Sequence, residues 1–369
     1  MSPKHSKRIA ALAAIVFTAV LLTASNALAQ HFTRTNLTAN NPNVATVPNI
    51  DPNLVNAWGV ARSSGSPWWV SDNGTGRSTL YDANGVPQSL VVTIPLPGGK
   101  SGTSAPTGMV FNAFNGAFEL APGQRSIFMW VTEDGTISGW NPNVNPTTAV
   151  IKVDDSGEGA IYKGAAIAMT SHGPRLYVTN FTTGKVDVYN SRFKEITVDG
   201  GFSDSQLFPN YAAFGIQNVG GNIVVTFAQR MPGSKDENHG PGKGFVDVFD
   251  TDGHLLLRLK HNATMNAPWG IAQAPGDFGT FSHRLLIGNF GDGFIHAYNA
   301  VSGQREGTLL DATGAPIWID GLWALSFGGG NTNSGLFNDL YFTAGPNDEG
   351  DGLFGKLSPL GGDQRGNSE

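Results

Sequence analysis

The chain has 369 residues, no cysteine, 14% charged residues and a formal net charge of −6. Without cysteine it can form neither disulfides nor thiolate metal sites, and it cannot be acylated as a bacterial lipoprotein. An acidic balance with no basic cluster argues against nucleic acid and anionic membrane surfaces as partners.

Residues 1–29 read as an export signal. Lys4, Lys7 and Arg8 form a basic start, Ile9 to Leu22 an apolar run, and Ala27-Leu28-Ala29 a small-x-small cleavage site. That run is 14 residues long, short of the ~20 a spanning helix needs, so the expectation is cleavage and a periplasmic or extracellular protein with no membrane span. Cleavage leaves 20 Lys+Arg against 29 Asp+Glu, a net of −9. Residues 30–360 are then expected to form a single domain, and the polar, Gly-rich 361–369 a flexible tail.

Downstream, 49 Gly and 21 Pro with few charges suit many tight turns between short, half-buried strands, and no long 3.6-residue periodicity competes with that reading. The chain is predicted to be all-β. A phrase recurs along it: a Gly-led apolar strand, a β-rich strand stopped by a turn, and a strand ending in aromatic-Asp or aromatic-Asn. Its first copy is Ala57-Trp58-Gly59-Val60-Ala61, then Trp68 to Gly74, then Ser78 to Asp82. Six copies align on Trp58-Gly59, Thr107-Gly108, Lys163-Gly164, Phe214-Gly215, Trp269-Gly270 and Asp320-Gly321, at spacings of 49, 56, 51, 55 and 51 residues. Asn73-Gly74, Asp134-Gly135, Thr183-Gly184 and Asp292-Gly293 fall between second and third strands, where a tight hairpin asks for positive φ. Asn84-Gly85, Asp252-Gly253 and Ser302-Gly303 follow third strands and lead into a fourth. Four antiparallel strands in about 50 residues make a propeller blade, so a six-bladed β-propeller of four-stranded antiparallel blades is predicted. The last copy runs short of strands, and the strand-like His31 to Leu37 is expected to complete it, closing the ring.

Asn56-Ala57-Trp58-Gly59-Val60 and Trp69 to Gly76 resemble a family of exported bacterial proteins, some of which carry a PEP-CTERM-type sorting tail; no such tail follows Leu360. More loosely, the repeat is similar to NHL-type and gluconolactonase-like six-bladed propellers, in which Asn-Gly or Asp-Gly opens the inner strand. Only Asp320-Gly321-Leu322 keeps that form. The resemblance implies that the residue before each inner-strand Gly lies near one mouth of the central channel. Trp58, Thr107, Lys163, Phe214, Trp269 and Asp320 would then form a ring, with Asp72, Asn73, Glu133, Asp134, Asn180, Asn289 and Asp292 above it. For these residues, wedge packing of the aromatics and turn formation by Asp and Asn is the competing account. Asp320 is expected between Trp58 and Trp269, with Lys163 across the channel.

Two loops exceed hairpin needs, residues 228–244 and 345–352, and the first would place Arg230 or His239 over the channel. A divalent cation such as Ca²⁺ could use Asp154 to Glu158 or Asn347 to Asp351, although solvated acidic turns explain both. No Gly-x-Ser-x-Gly elbow occurs, and Gly98-Gly99-Lys100-Ser101 lacks the first P-loop glycine, which is Ile94. Two functions follow. One is an exported binding or scaffold propeller taking a small molecule, an envelope or extracellular polymer, or a protein at its mouth. The other is a metal-dependent hydrolase or lyase of the lactonase or esterase kind, its metal held by Asp320 with Asn180, Asn289 or Asp72.

Overall fold

The computed structural model describes residues 31–361; the expected signal, and the expected tail beyond Gly361, lie outside them. Six antiparallel sheets follow one another along the chain as a six-bladed propeller. Their innermost strands are Ala57–Ala61, Pro106–Phe111, Tyr162–Thr170, Tyr211–Val219, Pro268–Gln273 and Leu322–Phe327. Among the described residues no helix is long and apolar enough to cross a membrane.

Closure follows the sequence expectation. His31–Ala39 pairs antiparallel with Leu353–Pro359, the third strand of the sixth blade, from Phe32↔Pro359 to Ala39↔Leu353. Phe32 and Ala39 are fully buried there, so an edge that would otherwise be open is paired and its apolar face covered. The Thr38 hydroxyl donates to Gly85 O at 2.5 Å, tying this strand also to the first blade.

Every inner strand breaks register with its neighbour at one step. The irregularities fall between Ala57 and Val60, Tyr162 and Gly164, Ala213 and Ile216, and Pro268 and Gly270, with the matching step in blade two at Thr107-Gly108. Glycine is needed because the next blade's backbone lies against it: a Cβ would sit 2.5 Å from Thr107 O at Gly59 and 2.6 Å from Trp323 O at Gly270. Threonine hydroxyls clasp the same step from blade to blade, Thr107 to Tyr162 O and Thr179 to Phe214 O, both at 2.7 Å, and Thr343 to Trp58 O across the closure.

These contacts correct the sixth copy. In the sixth blade the break falls between Leu322 and Leu325, and Gly270 packs on Trp323. The equivalent pair is therefore Trp323-Ala324, three residues beyond Asp320-Gly321. Blade one differs in its turn: positive φ falls on Gly76 (66°) rather than Gly74, and Gly74 is small because the Val55 side chain lies 2.5 Å from where its Cβ would be. Asp134-Gly135, Thr183-Gly184 and Asp292-Gly293 have their glycines at φ 79°, 77° and 71°, as a hairpin turn requires.

Candidate functional site

At one mouth the ring residues form a plug. Trp58 stacks on Trp323 with centroids 3.6 Å apart, Phe290 stacks on the same Trp323 indole at 4.1 Å, and Trp269 and Phe214 meet the two indoles edge-on at about 6 Å. Phe181 closes the cluster against Phe214. The register explains the composition. The ring residue of each inner strand points inward, and the residue just after the second strand in blades one, two, three and five (Asn73, Glu133, Phe181, Phe290) turns onto the same face. Burial of this many rings is the dominant stabilising contribution at the centre.

One charge is set into the plug. Lys163 is 1% exposed, its Nζ 4.9 Å from the Trp58 ring and within 6.0 Å of Phe181 and Phe214. It donates to Glu133 Oε1 of the neighbouring blade two at 2.5 Å, and the other carboxylate oxygen accepts from Lys235 at 2.6 Å. Burial would raise the Glu133 pKa, but the two ammonium groups outweigh it and hold the carboxyl below its ordinary value. Asn56, at φ 48°, sits beside this group. Its Oδ1 accepts from Trp323 Nε1 at 3.0 Å, and its Nδ2 donates to Asn73 Oδ1 at 3.2 Å and Glu349 Oε2 at 2.5 Å.

The two long loops meet here. Arg230 anchors the first by donating to Thr182 O (2.8 Å) and Pro209 O (3.0 Å), so it is a strut rather than a group over the channel. His239 lies exposed beside Phe290. The residues the loop delivers are Lys235 and Glu237. The second loop runs through Asn347, Asp348 and Glu349 at φ 58°, 53° and 63°, three successive left-handed residues at a cost of about 1–3 kcal/mol each, and that path carries Glu349 inward. Burial raises the carboxyl pKa of Glu349, and pushes that of Glu237 up to about 7.

Glu237 gives a pH prediction. Its folded pKa lies above the ordinary 4.5, so folding binds a proton between those values. The ionised form then carries a penalty that is absent below pH 4.5, grows as pH rises, and is complete above about pH 7. Glu237→Gln removes it. The variant is expected to match the wild type near pH 4.5 and to exceed it by about 3 kcal/mol at pH 8 in urea unfolding. A stability difference that does not change with pH would refute the assignment.

Of the residues predicted at the mouth, Trp58, Asn73, Lys163 and Trp269 are there. Asp320 is not: it is exposed, and its Oδ2 accepts from Asn347 N at 2.9 Å, capping the strained loop. Trp323 takes the place between Trp58 and Trp269. Asp72 is wholly buried inside blade one beside Thr79, and burial pushes its pKa well up. Asn180 donates to Asp187 and accepts from the Thr182 and Thr183 amides. Asn289 donates to Thr264 O and Asp292, which also accepts from Asn266 and from Phe294 N. Asp134 caps Ala105 N. These side chains serve their own blades, because the residue that ends the second strand faces into the sheet turn and the next one faces the channel. The proposed metal set therefore does not converge, and among the described residues no group of His, Asp and Glu is placed to hold an ion. The acidic stretches are likewise spent internally, Asp155 on the Tyr162 and Tyr189 hydroxyls and Asp351 on the Asn40, Asn41 and Asn347 amides.

Beside the plug, between blades three and four and the first loop, lies a hollow of about 720 Å³. Ile161, Phe181, Pro209 and Met231 give it an apolar lining, and Arg230 and Lys235 also line it.

No protein-family model matches the sequence. Two curated proteins of Acanthamoeba polyphaga mimivirus do. Uncharacterized protein R648 is 31% identical over 317 residues, 83% of this chain and 76% of that protein. Uncharacterized protein L690 is 31% identical over 320 residues, 83% and 81% of the two chains. The chain belongs to the family of these two proteins. Among solved structures, a catalytically inactive virginiamycin B lyase from Staphylococcus aureus with quinupristin superposes with TM-score 0.50 and 14% identity, over 82% of this chain and 80% of that one. At that identity the likeness is one of fold.

Proposed function

We propose that this member of the family is an exported binding propeller that takes a small molecule, or the end of an envelope or extracellular polymer, at its plugged mouth. The observation that carries the reading is the 720 Å³ hollow, lined in part by Phe181 of the plug and bordered by a loop that is itself pinned to the rigid blades through Arg230. A concave, largely apolar site with a few convergent polar groups is what small-molecule recognition uses. The export reading rests on Lys4 to Ala29.

Affinity mass spectrometry with a library of metabolites and oligosaccharides tests it. The comparison is between the wild type and a variant in which residues 231–236 are replaced by Gly-Gly. The expected result is a set of compounds retained by the wild type and lost from a variant that still unfolds in a single cooperative transition. Identical retention by both proteins would refute mouth binding. The hydrolase or lyase reading has one observation in its favour, a buried carboxyl at Glu237 with a pKa of about 7, suited to proton transfer at neutral pH; it requires turnover that Glu237→Gln abolishes.

A further inference from the structure

The hollow has a chemical polarity that the fold does not require. In an acidic protein, the charged residues that line it among the described ones are Arg230 and Lys235, and no described carboxylate does. Arg230 is committed to two backbone carbonyls. Lys235 is different. Its partner Glu133 also accepts from Lys163 at 2.5 Å, and of the two ammonium groups only that of Lys235 reaches solvent: Lys163 is enclosed by aromatic rings, whereas the Lys235 side chain is 53% exposed. Burial would lower the Lys235 pKa, but Glu133, with Asp236 and Glu349 further off, outweighs it and the group stays charged. Its ammonium has three N–H donors, and one bond to Glu133 leaves two for a ligand. Asn210 and Ser234 line the same hollow.

Resting on the mouth-binding reading, we infer that the hollow selects a molecule with a flat or ring-shaped apolar body and a single anionic group, a carboxylate, sulfonate or phosphate monoester. The body lies on Phe181 and Ile161 against Met231 and Pro209, and the anion meets the Lys235 ammonium. A charge-assisted bond of this kind in a partly desolvated site is stronger than a neutral one, and the apolar contact supplies the remaining affinity.

Two probes that share one apolar body separate the contributions: 8-anilinonaphthalene-1-sulfonate and its uncharged counterpart N-phenyl-1-naphthylamine, titrated by fluorescence and calorimetry against folded protein. The anionic probe is expected to bind one-to-one and at least about tenfold tighter than the neutral one, a preference worth about 1.4 kcal/mol. Lys235→Gln should bring the two to equal affinity, and Met231→Ser should weaken both alike. Equal affinity in the wild type, or a preference that survives Lys235→Gln, overturns the anion assignment and leaves mouth binding standing. Failure of either probe to bind, with no compound lost on replacing residues 231–236, removes both.

Discussion

Deleting residues 31–40 is expected to destroy cooperative folding. His31–Ala39 supplies the outer strand of the sixth blade and lies against the first, so its loss exposes a full strand edge and the apolar surface under Phe32, Leu37 and Ala39. Phe32 is fully buried, packed on Phe278 with centroids 4.6 Å apart, and Phe32→Ala should cost about 3–5 kcal/mol. That is a large share of the ~5–15 kcal/mol that holds a typical domain together. The shortened chain should elute as aggregate on size exclusion, and the point variant should unfold at clearly lower urea. A shortened chain that stays monomeric with an unchanged midpoint would show that the ring closes without this strand.

The second large effect is expected at Lys163. Lys163→Met keeps the apolar stem but removes the ammonium between Glu133 and the Trp58 face, leaving a carboxylate that is 5% exposed with only the outer Lys235 to balance it. Breaking a buried pair from one side costs about 3–5 kcal/mol, while replacing both partners with apolar groups is often near neutral. Lys163→Met combined with Glu133→Leu should therefore recover most of the loss, giving a coupling energy of about 2 kcal/mol or more in the double-mutant cycle. Additive losses would mean that the two side chains stabilise the centre independently.

The architecture was legible in the sequence because local chemistry repeats with it. Positive-φ turns need glycine and the inner-strand step needs glycine, so both leave marks at a regular spacing. The one misplaced copy shows where that logic fails. Trp323-Ala324 occupies the inner-strand step without a glycine, and Asp320-Gly321 just upstream imitates the marker. The mouth was legible in part. Trp58 and Trp269 follow from the repeat, but the partners of Lys163 do not. A lysine stem is long and flexible, so its ring position does not reveal that it bonds Glu133 of the neighbouring blade. Lys235, Glu237 and Glu349 sit on loops whose paths are set by distant anchors, Arg230 on Pro209 and Asp320 on Asn347. Asn56 heads the repeat phrase of blade one, but that place does not reveal its bonds; its role follows from standing where Trp323, Asn73 and Glu349 converge.

The aromatic plug makes the propeller a dish instead of a pipe. Directly beneath it remains a space of about 30 Å³, the volume of a single water molecule. Beyond that, the far face has its own depression of about 320 Å³, with Arg62 and Gln217 among its lining residues. Among the described residues the plug leaves no open passage between the two sides. Under the mouth-binding proposal a molecule would enter and leave the hollow from the same side, past the loop at residues 228–244, and the far-face depression would be reached only from the other.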